Sequence, residues 1–189
     1  MQSKPRLLRF LITDLMNSTV LRCLSLTLAI TAMSCSREVA AEQPHEEVGK
    51  VAWGRVLPAA LQASKRSGKP VFALFQEVPG CLGCKRFGRD VLSDPLIVRA
   101  IETEFTPLLI HNNGSGADAE VLQRYGEPGW NYQVVRFFDP EGRDIIPRKD
   151  HVWDAAPLAE RMIATLEKAG RPAPEYLKAV AAGKSAVKR

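Results

Sequence analysis

Lys69-Pro70-Val71-Phe72-Ala73-Leu74-Phe75-Gln76-Glu77-Val78-Pro79-Gly80-Cys81-Leu82-Gly83-Cys84 decides how the rest of the chain is read. Residues 71–75 form a short, unbroken apolar run of strand formers, which predicts a buried strand. Residues 76–80 bring Pro and Gly together and predict a turn. Residues 81–92 can form a helix that opens on C-x-x-C. A strand, a turn and a helix carrying that pair are the context of a redox dithiol.

The flanks support the same reading. Residues 56–69 place Val56, Leu57, Ala60, Leu61 and Ser64 on one helical face, with Gly68 as the stop. Residues 95–104 predict a helix with Pro95 at its first position and Ser93 or Asp94 as cap. A strand follows at 106–110, a loop at 111–116, a helix at 117–125 ended by Gly126, and a strand at 134–138. The turn Asp139-Pro140-Glu141-Gly142 predicts a hairpin return at 144–146. Leu158, Met162 and Leu166 mark an amphipathic helix over 157–169, and 174–182 a last short one. Strand–helix–strand implies parallel pairing and the closing hairpin antiparallel pairing. The expectation is an α/β fold with a central mixed β-sheet flanked by helices.

The 189 residues suggest one domain behind an export segment. Lys4, Arg6, Arg9 and Arg22 precede an uncharged apolar run over 23–33, so residues 1–34 read as a signal peptide. That run of 11 residues is short of the ~20 that span a membrane. Met16 is an alternative start. Ala32-Met33-Ser34-Cys35 resembles a lipoprotein processing site, with Cys35 the lipidated residue, while Val39-Ala40-Ala41 suits ordinary cleavage. Residues 35–50 are expected to be linker, 51–170 the domain, and 171–189 a C-terminal helix and tail. The expected location is the periplasm or a lipid-anchored site facing it. Outside 1–34 there are 22 basic and 20 acidic residues, which gives no footprint for nucleic acid.

Cys81 and Cys84 are the only cysteines beyond residue 35. Only a thiolate attacks a disulfide, and a helix N-terminus or nearby cations favour it. Cys81, at the expected helix start, is the expected nucleophile, helped by Lys85, Arg86 and Arg89 and opposed by Glu77. Cys84, one turn in, is the expected resolving thiol. Gly83 is expected to let a substrate approach closely. The expected partners are a protein thiol or disulfide substrate and an electron donor, with no cofactor beyond the Cys81–Cys84 disulfide. Two other readings of the pair stay open: a structural disulfide, or part of a metal site. A zinc site needs further ligands. His111, at the end of the second strand, makes a Cys81, Cys84, His111 copper carrier conceivable.

Lys69–Phe75 with Cys81-Leu82-Gly83-Cys84, then Val91-Leu92-Ser93-Asp94-Pro95, Phe105-Thr106-Pro107-Leu108 and Phe137-Phe138-Asp139-Pro140-Glu141-Gly142, resemble a thioredoxin-like domain over about residues 51–170. More narrowly, Val78-Pro79-Gly80-Cys81 resembles the VPGUxxT family of thioredoxin-like selenoproteins, with Cys81 at the selenocysteine position and Cys84 in place of Thr. The resemblance implies a thiol–disulfide oxidoreductase with a resolving thiol of its own. It also implies supporting roles for Pro79, Gly80 and Gln133. Gln133 stands where thioredoxins carry a cis-proline, and Phe75 where they bury an acid. A proton acceptor for Cys84 would then be Glu77 or water. Trp130 could line a substrate groove or pack its loop to the core, and Trp53 and Trp153 are expected in the core.

Overall fold

The computed structural model describes residues 45–130 and 132–184. The expected export segment, Cys35 and the start-site question lie outside the described residues. The chain runs α1 (Leu57–Ser67), β1 (Val71–Gln76), α2 (Leu82–Asp90), α3 (Pro95–Glu104), β2 (Thr106–His111), α4 (Ala117–Tyr125), β3 (Val134–Phe138), α5 (Ala155–Lys168) and α6 (Glu175–Ala181). A single 3-10 turn, Glu46–Val48, precedes them.

The sheet has the order β2-β1-β3. β1 pairs parallel with β2, Val71 opposite Thr106 through Gln76 opposite His111. It pairs antiparallel with β3, Val71 opposite Phe138 through Phe75 opposite Val134. Every residue of β1 is buried, as its unbroken apolar sequence requires of a strand covered on both faces. Side chains alternate between two cores. Phe72, Leu74, Leu109, Val135 and Phe137 face α2, α3, α5 and α6. Val71, Ala73, Phe75, Leu108, Ile110, Val134 and Phe138 face α1 and α4. Phe72 sits at the centre of the first core, with ring centroids 5.9, 6.0 and 5.4 Å from those of Trp53, Phe105 and Phe137. Truncating such a ring to Ala costs about 3–5 kcal/mol.

Helix ends follow the local chemistry. The Asp94 carboxylate, fully buried, accepts from the N–H groups of Leu96 and Ile97, satisfying two orphan donors of α3. Gly68 and Gly126 end α1 and α4 in the left-handed conformation.

Two expectations are corrected. Residues 144–146 do not form a returning strand: Asp144 makes one isolated bridge to Phe138, and Ile145 N–H donates to Phe137 O at 2.9 Å. Asp144 is drawn instead into an ion pair with Arg136, and Pro147, which has no N–H, follows at once. Residues 45–50 do not behave as linker. Glu47 and Val48 are buried, the Trp53 indole donates to Val48 O at 2.8 Å, and Lys50 N–H donates to Leu92 O at 3.0 Å. At the other end, Leu177 and Val180 of α6 belong to the first core.

Candidate active site

Three connections meet beyond the carboxyl end of β1. One leads from Glu77 to Cys81, one follows His111, and one runs into Val134. Asn113 ties the second to the first: its Oδ1 accepts the Val78 N–H at 3.1 Å, and its Nδ2 donates to Pro79 O at 3.2 Å. Asn112 ties all three, donating its N–H to Gln76 O at 3.0 Å and accepting the Trp130 N–H at 3.1 Å. Gln133 precedes β3 and is buried. The cis peptide is Val78–Pro79, two residues ahead of Cys81.

Cys81 is exposed and caps α2; Cys84 is completely buried in its first turn. Both are free thiols, with their sulfurs 3.4 Å apart. The glycine before them is required sterically. A Cβ on Gly80 would lie 2.4 Å from Glu77 O and 2.9 Å from the Cys84 Cβ. A Cβ at Gly83 would stand 3.7 Å from the Cys81 sulfur, an ordinary contact.

The two thiols titrate in opposite directions. The Cys84 N–H is the main influence holding Cys81 below the ordinary thiol range, joined by the Cys84 side chain and the Gly83 N–H against some burial and the Glu77 charge. The Cys81 side chain makes no cap hydrogen bond of ordinary geometry, so this is the field of first-turn N–H groups acting on a nearby sulfur. Burial pushes Cys84 up to about 12, and the neighbouring Cys81 sulfur adds to it. The result is one accessible thiol whose thiolate is favoured beside one sealed thiol whose thiolate is disfavoured.

The cations expected to help Cys81 are committed elsewhere. Arg86 pairs with Asp90 at 3.5 Å, and Arg89 with Asp90 at 2.9 Å and Glu46 at 3.3 Å. Lys85 acts on Glu47. Burial opposes the Glu47 charge, but the Gly80 N–H, its own N–H, Lys85 and His45 together hold that carboxyl below its usual range. The Glu47 Oε1 accepts the Gly80 N–H at 2.9 Å. Neither Glu47 nor Asn113 was found by sequence reasoning, because Glu46-Glu47 reads as a solvated pair and Asn112-Asn113 as plain loop.

Glu77 is the carboxylate that reaches the sulfurs. Its oxygen and the Cys81 and Cys84 sulfurs lie within 4.8 Å of one another, and among the described residues these three form the converging donor set that could hold a metal ion. His111 is not in that set, so the structure does not assemble the Cys81, Cys84, His111 copper site. Phe75, at the position where an acid was sought, is buried in the second core.

Aromatic side chains stand around the same end of the sheet. Trp130 is 85 % exposed and held at a positive φ of 50°; it does not pack its loop to the core. Tyr132 and Trp153 are also exposed, with ring centroids 6.1 Å apart, and His151 lies 5.2 and 5.1 Å from them. Trp153 is therefore a surface residue and not the core residue expected, whereas Trp53 is in the core. Leu82, between the two cysteines, is 79 % exposed.

Residues 52–140 match a family model described as thioredoxin-like. Two solved structures are similar to the chain. A DsbH oxidoreductase superposes with a TM-score of 0.52 at 17% identity, covering 67% of this chain and 92% of its own. The solution structure of a thioredoxin from Thermus thermophilus superposes with a TM-score of 0.51 at 21% identity, covering 64% of this chain and 90% of its own. No curated protein matches the chain. The three-stranded mixed sheet with its flanking helices is a thioredoxin-like fold.

Proposed function

We propose, from a thioredoxin-like fold that sets Cys81 and Cys84 at a helix start, that this chain is an exported thiol–disulfide oxidoreductase. The observation that carries the reading is the asymmetry of the pair. An exposed thiol with a lowered pKa stands 3.4 Å from a buried one raised to about 12. A structural staple needs no such difference.

In the reducing direction the Cys81 thiolate attacks one sulfur of a substrate disulfide. That S–S bond breaks, a Cys81–substrate disulfide forms, and the departing substrate sulfur takes a proton. Cys84 gives up its proton to the Glu77 carboxylate or to water and attacks the Cys81 sulfur. The second substrate thiol leaves, and Cys81–Cys84 becomes a disulfide, having delivered two electrons. A dithiol donor restores it. The oxidising direction is the reverse. The exposed Leu82, Trp130 and Tyr132 favour a polypeptide substrate, which can cover them.

Export rests on the basic and apolar pattern of residues 1–34, and lipid attachment at Cys35 on Ala32-Met33-Ser34-Cys35. Among the described residues no helix is long and apolar enough to cross a membrane. Kinship with the VPGUxxT family rests on Val78-Pro79-Gly80-Cys81 and the spacing to Cys84.

The test is redox equilibration of the metal-free protein in glutathione or dithiothreitol buffers, read by thiol alkylation. A reversible two-electron Cys81–Cys84 couple is expected, its potential giving the direction of electron flow. Cys84→Ser should trap a mixed disulfide with the substrate. A pair that never closes, or never reopens, would sink the reading.

A further inference from the structure

The 45–50 arm lies against the site at a distance that only glycine permits. A Cβ on Gly88 of α2 would stand 1.9 Å from Glu46 O and 2.5 Å from Glu47 C, and one on Gly49 2.4 Å from Leu92 O. Gly49 also has a φ of +64°, which L side chains rarely adopt. The arm is pinned along its length. Glu46 meets Arg89 at 3.3 Å, and Glu47 O accepts from the Gln76 side chain at the end of β1. Val48 O accepts the Trp53 indole at 2.8 Å, and Lys50 N–H meets Leu92 O at 3.0 Å. At the centre, Glu47 is 2 % exposed. Its carboxylate points at the turn before the nucleophile and accepts the Gly80 N–H at 2.9 Å. A buried carboxylate needs such a partner.

We infer that Glu47 is a positioning residue for Cys81, its buried carboxylate holding Gly80 and so fixing the turn that presents the Cys81 sulfur to the first-turn N–H groups of α2. The arm that carries it lies outside the matched residues 52–140. The inference rests on Cys81 being the attacking thiol of the proposed reaction. Glu47 acts through Gly80 and not by charge on the thiol. The charged groups facing Glu47 are His45, 4.0 Å away, and Lys85. The charge bearing on the Cys81 sulfur is that of Glu77, and Cys84 acts on it by hydrogen bonding.

The test is the rate at which iodoacetamide alkylates Cys81 at pH 7 in the reduced full-length chain, read by mass spectrometry. No redox partner is involved. If the turn loosens, the sulfur leaves the N–H groups that favour its thiolate. For a thiol that titrates above the assay pH, each unit of pKa rise lowers the thiolate fraction about tenfold but raises intrinsic nucleophilicity about threefold, for a net slowing of about threefold. Glu47→Ala is expected to slow the reaction by about threefold. Glu47→Gln keeps an oxygen for the Gly80 N–H and is expected within about twofold of wild type. Gly88→Ala never touches the thiols, yet should match Glu47→Ala by pushing the arm away. A folded Glu47→Ala with the wild-type rate, or a Glu47→Gln as slow as Glu47→Ala, overturns the inference. Should Glu47→Ala not fold, Glu47→Asp, which withdraws the oxygen by one methylene, decides with Gly88→Ala, and wild-type rates in both overturn it. Slowed variants in a chain whose wild type forms no reversible disulfide would sink the oxidoreductase reading alone.

Discussion

The sulfurs of Cys81 and Cys84 are 3.4 Å apart, yet solvent reaches the first and not the second. The separation comes from Gly80, whose missing side chain lets the Cys84 Cβ pack beneath the turn, and from α2, which carries Cys84 inward by one helical turn. The difference in exposure between two identical side chains therefore follows from position alone.

Selective alkylation should follow directly. Near pH 7 one equivalent of iodoacetamide should modify Cys81 and leave Cys84 untouched until the chain is unfolded. Peptide mapping checks this, and equal modification of both would contradict the burial of Cys84.

Stability of the reduced protein should fall at alkaline pH. The folded value for Cys84 is raised from 9.0 to about 12. A thiol raised by folding contributes stability that is fully present below the unfolded value and is lost as pH climbs towards the folded one. The loss should run from about pH 9 to about 12, at up to about 1.4 kcal/mol per pH unit. Cys81, lowered by folding, contributes in the opposite sense: its share is present above the unfolded thiol value and is lost as pH falls through its folded value. Urea melts of the reduced and disulfide forms against pH check this, because the disulfide form lacks both titrations.

Glu77→Gln should move the two thiols differently. Removing the negative charge relieves its pressure on Cys81, so the pH midpoint for Cys81 alkylation should fall. Losing the base within 4.8 Å of both sulfurs should slow release of the mixed disulfide. Stopped-flow measurement of both steps separates the effects, and acceleration of both would remove Glu77 as proton acceptor.

Trp130→Ala should leave stability within about 0.5 kcal/mol, as befits a side chain exposed to 85 %. It should slow reduction of a polypeptide disulfide by several-fold while leaving a small disulfide such as oxidised glutathione unaffected. Equal rates on both substrates would make the exposed ring incidental.

Arg136→Ala should be among the more damaging changes far from the cysteines. Arg136 is buried, bonds Glu127 Oε1 at 3.0 Å and Tyr125 O at 2.8 Å, and pairs with Asp144. Its loss takes one of two arginine partners from the buried Glu127, which keeps Arg148, and removes the guanidinium donors of Tyr125 O and Asp144, at about 1–3 kcal/mol. Thermal melts check this, and because the network joins the 127 loop to the 144 loop, Tyr132 fluorescence should change with it.

Much of the fold was legible because local chemistry and tertiary structure agreed. The apolar run of β1, the Asp94-Pro95 start of α3 and the Gly126 stop of α4 each carry their signal within a few residues. So do Cys81 and Cys84, whose spacing alone places one at the helix start and one a turn inside. The expected strand at 144–146 failed where Arg136, eight residues away, took Asp144 for an ion pair. Trp153 was misplaced because an indole signals burial by composition while its position here is set by Tyr132 and His151.

What the sequence determined by itself was the order of elements, the mixed sheet and the place of the Cys81–Cys84 pair at a helix start, since these depend on periodicity, turn residues and spacing. What only the tertiary structure decided was the company those cysteines keep. Glu47 reaches Gly80 across 33 positions and Asn113 reaches Val78 across 35. His111, expected beside the sulfurs, is left out of their cluster while Glu77 enters it. Such contacts depend on where the chain returns in space, and no pattern within a local window encodes that.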